Sequence, residues 1–80
     1  MWFVYVLRSI QKENWLYVGS TNRLQQRVAE HNLRLVQSTK YYAPLVLVVY
    51  IGVQTEYQAR SLERYFKTGS GRAVLKKRFL

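Results

Sequence analysis

The sequence contains no cysteine and no aspartate, and His31 is its only histidine in 80 residues. Without cysteine the chain has neither disulfides nor thiolate zinc sites, so its stability must come from packed apolar and aromatic side chains. Its four carboxylate side chains are Glu13, Glu30, Glu56 and Glu63. The paired carboxylates of two-metal nucleases or glycosidases are therefore hard to assemble. A glycine-rich phosphate-binding loop is also missing.

Long hydrophobic runs are absent as well. No apolar stretch approaches the roughly 18–20 residues of a membrane span, and no basic segment followed by a small-residue cleavage site opens the chain. A chain of 80 residues can build only one modest hydrophobic core. We therefore expect a single soluble domain over residues 1–80, located in the cytoplasm.

Acidic residues are few, with 4 against 13 lysines and arginines, which gives a formal net charge of +9. So large a positive charge on a small surface favours phosphate-rich partners. Nucleic acid is the preferred partner on this ground, with an acidic lipid surface or an acidic protein as the alternatives.

A strand hairpin is predicted at the start of the chain. Residues 2–7 form an apolar and aromatic run that is typical of a strand. The polar residues 11–14 follow as a hairpin loop, and residues 15–18 resume strand character until Gly19. We expect these two strands to pair antiparallel.

A helix and a third strand are predicted next. Asn22 is a candidate N-cap, with Gln25 as its capping-box partner, for a helix over residues 22–33. A loop over residues 32–44 then leads into a strand over residues 45–51. Its continuous Leu and Val content favours a central position covered on both faces. Strand alternation places Val46, Val48 and Tyr50 together on one of those faces.

Two further helices complete the prediction. Thr55 and Gln58 repeat the capping signal at the start of the second helix, which Gly69 ends. Ser70 is the candidate cap of the last helix, over residues 71–80. The predicted fold class is α/β, with a small three-stranded antiparallel sheet flanked by helices.

Arg27 and His31 lie one turn apart on the first predicted helix. At about 100° per residue, both fall on or beside the apolar stripe that Leu24 and Val28 define. They could therefore line an inward-facing site. His31 is equally consistent with a packed, hydrogen-bonded core residue, and Arg27 with a surface residue whose stem covers apolar neighbours.

Glu63 falls at the edge of the apolar face of the second helix, near Ala59 and Phe66. A carboxylate in that position needs a cation, which is either an arginine or a metal ion. Tyr5 and Tyr17 lie on adjacent predicted strands, where alternation can turn both hydroxyls to one face. Packing alone is the usual explanation for two strand tyrosines.

The order of these residues resembles the GIY-YIG nuclease superfamily. The resemblance includes Phe-Val-Tyr ending at Tyr5, Tyr-Val-Gly beginning at Tyr17, Arg27 and His31 on the next helix, and Glu63 on the following one. Similar segments at residues 19–22, 30–32 and 67–72 extend it over nearly the whole chain. The sequence is most similar to short stand-alone bacterial members, which resemble the nuclease domain of the excision-repair endonuclease subunit UvrC.

The resemblance implies a role for each of the five residues. Glu63 would be the ligand of a Mg²⁺ or Mn²⁺ ion, Tyr17 would activate or position the attacking water, and Arg27 would hold the scissile phosphate. Tyr5 and His31 would complete the pocket. Because a phenol with an ordinary pKa of about 10 is a poor base at neutral pH, the group that takes the proton stays open.

The sequence departs from the family pattern after the His-Asn pair, where a glycine is common. Leu33, Arg34 and Leu35 stand in its place. We therefore expect the loop that leads to Pro44 to be shaped differently.

The implied function is a metal-dependent endonuclease that hydrolyses DNA phosphodiester bonds in DNA repair or recombination. The candidate nucleic-acid contacts are Lys40, Tyr41, Tyr42, Lys76, Lys77 and Arg78. A solvated basic face explains these residues equally well. Two alternatives stay open: a catalytically weak nucleic-acid-binding module that needs a partner protein, and a basic adaptor that docks on a protein.

Overall fold

The structure, a computed structural model, describes all 80 residues. It contains three strands, β1 (Trp2–Ser9), β2 (Leu16–Thr21) and β3 (Leu45–Val53), and three helices, α1 (Leu24–Asn32), α2 (Glu56–Phe66) and α3 (Gly69–Arg78). The strands form one antiparallel sheet in the order β2-β1-β3. The predicted α/β class and the antiparallel pairing of the first two strands are therefore confirmed. No helix has the length and apolar character needed to cross a membrane.

The central strand is β1, so the prediction of a central β3 is wrong. Val4, Tyr5, Val6 and Leu7 in β1 are each at most 1% exposed, whereas most residues of β3 are only half-buried. A run of valines and leucines shows that a strand is apolar on both faces, but it does not show how completely other elements cover them. β3 pairs with β1 alone and lies at one edge of the sheet, while β2 lies at the other.

The two faces of the sheet carry separate cores. The first core packs against α2 and α3 and consists of Val4, Val6, Val18, Ala59, Phe66 and Leu75. The second core packs against α1 and the loop before β3, and its buried residues are Tyr5, Leu7, Ala43 and Leu45. The strand tyrosines therefore face α1, while α2 packs on the opposite face.

A bulge in β3 changes which of its side chains share a face. Val6 of β1 lies opposite Val49, but the next residue, Leu7, lies opposite Leu47, so Val48 is the extra residue. Beyond a bulge the alternation of side chains shifts by one position. The prediction that groups Tyr50 with Val48 is wrong. Val48 packs against the first core, whereas Tyr50 lies on the α1 side, edge to face on Phe3 with ring centroids 6.2 Å apart.

Only one of the three predicted helix caps is correct. Thr55 and Gln58 form the predicted capping box at the start of α2. At α1 the N-cap is Arg23 and has no side-chain cap, because Thr21 rather than Asn22 anchors the turn after β2 by accepting from the Arg23 N–H at 3.0 Å. At α3 the predicted Ser70 cap is wrong.

The cap of α3 is Thr68, whose hydroxyl accepts from the Gly71 N–H. Two hydroxyl residues lie within reach of this helix start, and sequence spacing does not distinguish them. Gly71 has a further steric role. A Cβ at this position would lie 1.8 Å from the carbonyl oxygen of Tyr65, so α3 can approach the end of α2 only through a glycine.

The end of α1 forms a regular helix stop without the family glycine. The Leu35 N–H donates to the Glu30 carbonyl at 3.0 Å, and the Arg34 N–H donates to the His31 carbonyl at 3.1 Å, which is the Schellman pattern. Arg34 has a φ of 63°, a value usually reserved for glycine. Its side chain compensates by donating to the Lys40 carbonyl at 2.6 Å, which ties the helix end to the following loop.

The loop between α1 and β3 is also fixed by Asn32, which acts like a short piece of strand. Its side-chain amide donates to the Leu45 carbonyl at 3.0 Å and its oxygen accepts from the Leu45 N–H at 2.7 Å. The loop buries Val36, Thr39 and Ala43. The result is a loop with its own core contacts, which brings Thr39 to the end of α1.

Candidate active site

The two strand tyrosines converge on the sheet face that α1 covers. Tyr5 and Tyr17 have ring centroids 6.3 Å apart. They lie on a diagonal rather than opposite one another, because Tyr5 pairs with Gly19 and Tyr17 pairs with Leu7. Tyr5 is 1% exposed, and Tyr17 is half-buried. Tyr17 is therefore the more accessible of the two hydroxyl-bearing rings.

Gly19 makes this arrangement possible. A Cβ at this position would lie 2.6 Å from both Cζ and the hydroxyl oxygen of Tyr5, and 3.0 Å from Cε2 of Tyr17. The two separations of 2.6 Å are shorter than contacts between nonbonded atoms allow, and the Tyr5 ring is buried and cannot easily move away. The glycine of the Tyr-Val-Gly segment thus leaves the space that the Tyr5 hydroxyl occupies.

His31 extends the tyrosine pair into a buried hydrogen-bonded chain. Its Nε2 is hydrogen-bonded to the Tyr5 hydroxyl at 2.8 Å, and its Nδ1 to the Thr39 hydroxyl at 2.7 Å. A neutral imidazole has one donor and one acceptor nitrogen, so one hydroxyl donates to the ring and the other accepts from it. His31 and Thr39 are both fully buried. α1, through His31, and the loop before β3, through Thr39, therefore fix the position of the Tyr5 hydroxyl.

Burial sets the protonation states of Tyr5 and His31. Burial and the neighbouring Tyr17 raise the pKa of Tyr5 to about 12, and the positive charge of Arg27 opposes the shift. Burial, reinforced by Arg27, lowers the pKa of His31 to about 4, and Glu30 opposes the shift. At neutral pH Tyr5 is therefore a protonated phenol and His31 a neutral imidazole.

We expect the folding stability to fall between pH 7 and pH 5 because of His31. Its pKa is about 4 in the folded protein and about 6.5 in an unfolded chain, so in this window the unfolded state binds the extra proton. Protonation then favours unfolding and lowers the free energy of unfolding by about 2 kcal/mol at pH 5.

Urea denaturation at pH 7, 6 and 5 measures this effect. The control is His31→Gln, which should be less stable than the native protein but nearly independent of pH over the same range. An equal fall in both proteins would show that another group causes the pH dependence.

Arg27 lies close enough to Tyr5 for its guanidinium to interact with the phenol. Its Nη1 donates to Glu30 Oε1 at 3.0 Å, and its side chain is 38% exposed. Arg27 and Glu30 also line an entirely polar cavity of about 280 Å³ at the start of α1. Glu30 engages one nitrogen of the guanidinium, so the remaining donors of the planar group are available to a ligand in that cavity.

Glu63 reaches the pocket from the other side of the edge strand β2. Ser20 Oγ donates to Glu63 Oε1 at 2.5 Å, and Lys67 Nζ donates to Glu63 Oε2 at 2.8 Å. Burial favours protonation of this carboxyl, but the hydrogen bonds from Lys67 and Ser20 outweigh it and lower the pKa of Glu63 below its ordinary value. Glu63 is therefore a charged carboxylate at neutral pH.

Lys67 connects the two sides of the strand. Its ammonium, bonded to Glu63, also lies 5.8 Å from the ring centroid of Tyr17. The structure thus groups Tyr5, Tyr17 and His31 in direct contact and places Arg27 beside Glu30 on α1. Glu63 lies at the edge of β2, where Lys67 links it to Tyr17. The five residues predicted from the sequence lie in one region, on four different elements of the fold: β1, β2, α1 and α2.

The predicted nucleic-acid contacts fall into two separate groups. Tyr42 stacks on Trp15 with centroids 4.1 Å apart, and Trp15 lies beside Tyr17 at 6.5 Å. Tyr41 is 73% exposed, and the Lys40 ammonium lies 5.0 Å from its ring centroid. This loop group therefore adjoins the site through Trp15.

The other group is the last turn of α3, which contains Lys76, Lys77 and Arg78. Lys76 lines a cavity at the hairpin end of the sheet together with Arg8 and Glu13, and none of the five site residues lines that cavity. The structure thus does not join these three basic residues to the tyrosine pocket.

Four residues that contact the site were not among the candidates. They are Ser20, Glu30, Thr39 and Lys67. The spacing of Glu30 three residues after Arg27, and of Lys67 four residues after Glu63, is a helical signal that could have identified both. No comparable signal exists for Ser20, whose partner is 43 residues away in sequence.

The sheet and its flanking helices make this protein an α/β domain with polar residues clustered around β2. The family model of the GIY-YIG catalytic domain matches residues 1–78. The match covers nearly the whole chain, and the chain belongs to the GIY-YIG family. Neither a curated protein nor a solved structure gives a significant match.

Proposed function

We propose that this chain is a metal-dependent endonuclease that hydrolyses DNA phosphodiester bonds in repair or recombination, with residues 1–80 acting as one domain. The observation that carries the proposal is the convergence of Tyr5, Tyr17 and His31 on one side of β2 with a charged Glu63 on the other. The formal net charge of +9 suits a polyanionic substrate.

The donor set at Glu63 fits Mg²⁺ or Mn²⁺. These hard ions retain most of their waters and need only one or two carboxylates plus phosphate oxygens from a substrate. Glu63 is an ionised carboxylate that is 19% exposed, so an ion can reach it. When bound, such an ion supplies charge stabilisation on the phosphate and on the leaving oxygen. No three His, Cys, Asp or Glu side chains come together anywhere in the chain, so Glu63 would be the one carboxylate that the protein gives to the ion.

Arg27 is proposed to hold the scissile phosphate. Its planar donors can address two phosphate oxygens in fixed geometry, and the negative charge that develops on them strengthens those bonds in the transition state. Glu30 orients the guanidinium through a bond to one nitrogen at 3.0 Å. The polar cavity that both line leaves room for a phosphate group.

Tyr17 is proposed to position the attacking water. Tyr5 is unsuited to act as the base, because its pKa is raised to about 12 and its hydroxyl is already bonded to His31. Both nitrogens of His31 are occupied by hydroxyl groups, so His31 supports the pocket instead of meeting the substrate. Of Tyr5, Tyr17 and His31, only Tyr17 is partly exposed. It also lies beside the charged Lys67–Glu63 pair.

Cleavage of labelled DNA tests this function. The panel contains duplex, single-stranded, flap and junction DNAs, each incubated with Mg²⁺, Mn²⁺ or a chelator, and a parallel preparation of Glu63→Ala controls for contaminating nucleases. We expect cutting that requires the divalent ion and that is lost in the variant.

The same panel distinguishes the alternatives. DNA that is bound but never cut would replace the nuclease proposal with a binding module that needs a partner. Binding that has no preference among the DNAs and disappears at modest salt would favour a basic adaptor instead.

A further inference from the structure

Both oxygens of Glu63 are occupied by donors of different kinds. Ser20 contributes a neutral hydroxyl to Oε1 at 2.5 Å, whereas Lys67 contributes an ammonium to Oε2 at 2.8 Å. The Lys67 side chain is 47% exposed and the Glu63 side chain 19% exposed. Lys67 is therefore the more exposed member of the pair.

The two donors respond differently to an incoming cation. A hydroxyl is uncharged and also carries lone pairs, so Ser20 can remain next to a carboxylate that binds a metal. An ammonium has three donors, no acceptor and a full positive charge, so Lys67 cannot share the same oxygen with a divalent ion without strong repulsion. Binding of the ion at Oε2 therefore requires the ammonium to leave.

We propose that Lys67 is the resident counter-ion of Glu63 and that it competes directly with the divalent cation for this carboxylate. The inference rests on the proposed function, since it takes Glu63 as the metal ligand. In the absence of the cation, the lysine keeps the partly buried carboxylate neutralised and oriented.

The displaced ammonium of Lys67 could bind a phosphate beside Tyr17. Lys67 Nζ already lies 5.8 Å from the ring centroid of Tyr17, and its flexible four-carbon stem allows it to swing without moving the helix. A phosphate held beside Tyr17 is the anion within its reach. Exchange of Lys67 from Glu63 to the substrate phosphate would thus couple loading of the cation to loading of DNA.

Binding of Mn²⁺ to the DNA-free protein tests the competition. Electron paramagnetic resonance measures the free ion and tolerates millimolar dissociation constants. The variants are Lys67→Met, which removes the competing charge, and Lys67→Arg, which keeps it. Arg64→Met is the matched control, because it removes one positive charge from the same helix, and the native Arg64 makes no ion pair.

We expect Lys67→Met to bind Mn²⁺ about three- to tenfold more tightly than the native protein, since an exposed ion pair and one nearby positive charge are both removed. Lys67→Arg should stay within about twofold of native, and Arg64→Met should change affinity less than Lys67→Met does. Thermal denaturation of each variant checks that the fold is retained.

Two results would overturn the inference, and they differ in what they say of the proposed function. Unchanged Mn²⁺ affinity in Lys67→Met, with binding lost in Glu63→Gln, would show that Glu63 holds the ion but that Lys67 does not compete for it. Undiminished Mn²⁺ binding in Glu63→Gln would show that Glu63 is not the ligand, which removes the inference together with the metal role in the proposed function.

Discussion

Replacement of Glu63 with glutamine is expected to lower the rate of DNA cleavage by about a thousandfold. A metal ion that stabilises charge on a transferring phosphate contributes several kcal/mol, and each 1.4 kcal/mol corresponds to about tenfold in rate. Glutamine keeps the size of the side chain, and its oxygen can still accept from Ser20, which donates to Oε1 in the native protein. The substitution therefore removes the negative charge and the acceptor of Lys67, and it keeps the bond from Ser20.

DNA affinity should stay within about threefold, because removal of a negative charge does not weaken attraction to a polyanion. The matched control is Glu56→Gln. Glu56 lies on the same helix and its pair with Arg60 is exposed, with the side chains 53% and 55% accessible, so this variant should cut at nearly the native rate. Single-turnover cleavage gives the rates and fluorescence anisotropy gives the affinity. A Glu63→Gln protein that cuts at the native rate would contradict the role of this residue.

Arg27→Lys should reduce the cleavage rate by about a hundredfold although the positive charge is kept. Loss of one well-placed donor to a developing oxyanion commonly costs 10²- to 10³-fold. Lysine is a point charge without the planar fork, so it cannot hold two phosphate oxygens while Glu30 fixes the group. The Arg27–Glu30 pair is partly exposed, so its loss should alter the free energy of unfolding by less than about 1 kcal/mol.

Arg23→Lys is the control for this substitution. Arg23 lines the same polar cavity as Arg27, but it is the N-cap residue of α1 and no carboxylate orients its guanidinium. We expect its lysine variant to lose less than about threefold in rate and to show the same ionic-strength dependence as the native protein. If both lysine variants cut equally well, Arg27 would be only one of several interchangeable phosphate contacts.

Much of the fold could be predicted because its signals are local. Strand-forming runs define β1 and β2, and the Thr55–Gln58 capping box correctly marks the start of α2. The errors arise where more than one local solution exists. Thr21 replaces Asn22 as the anchor of the turn before α1, and Thr68 replaces Ser70 at α3, because adjacent polar residues offer nearly equal hydrogen bonds.

The site also has features that local spacing predicts and features that it does not. Helical spacing correctly placed His31 on the buried side of α1, since this follows from geometry within one helix. The bond from Ser20 to Glu63 links residues 43 positions apart, and no local pattern encodes it. Contacts of this kind depend on how α2 crosses the sheet, which is a property of packing between elements.

Local sequence patterns were enough to predict the order of the strands and helices. The composition also states the charge and the groups available for chemistry: a single histidine, four glutamates and no aspartate or cysteine. Local conformational preference and side-chain periodicity act over a few residues, so they can be read directly. The packing of the elements in three dimensions was needed to show that β1 is central, that Tyr5 is bonded to His31 and that Lys67 is bonded to the proposed metal ligand Glu63. These features arise because the two sheet faces must be covered at once, and that requirement brings distant residues together around the edge of β2.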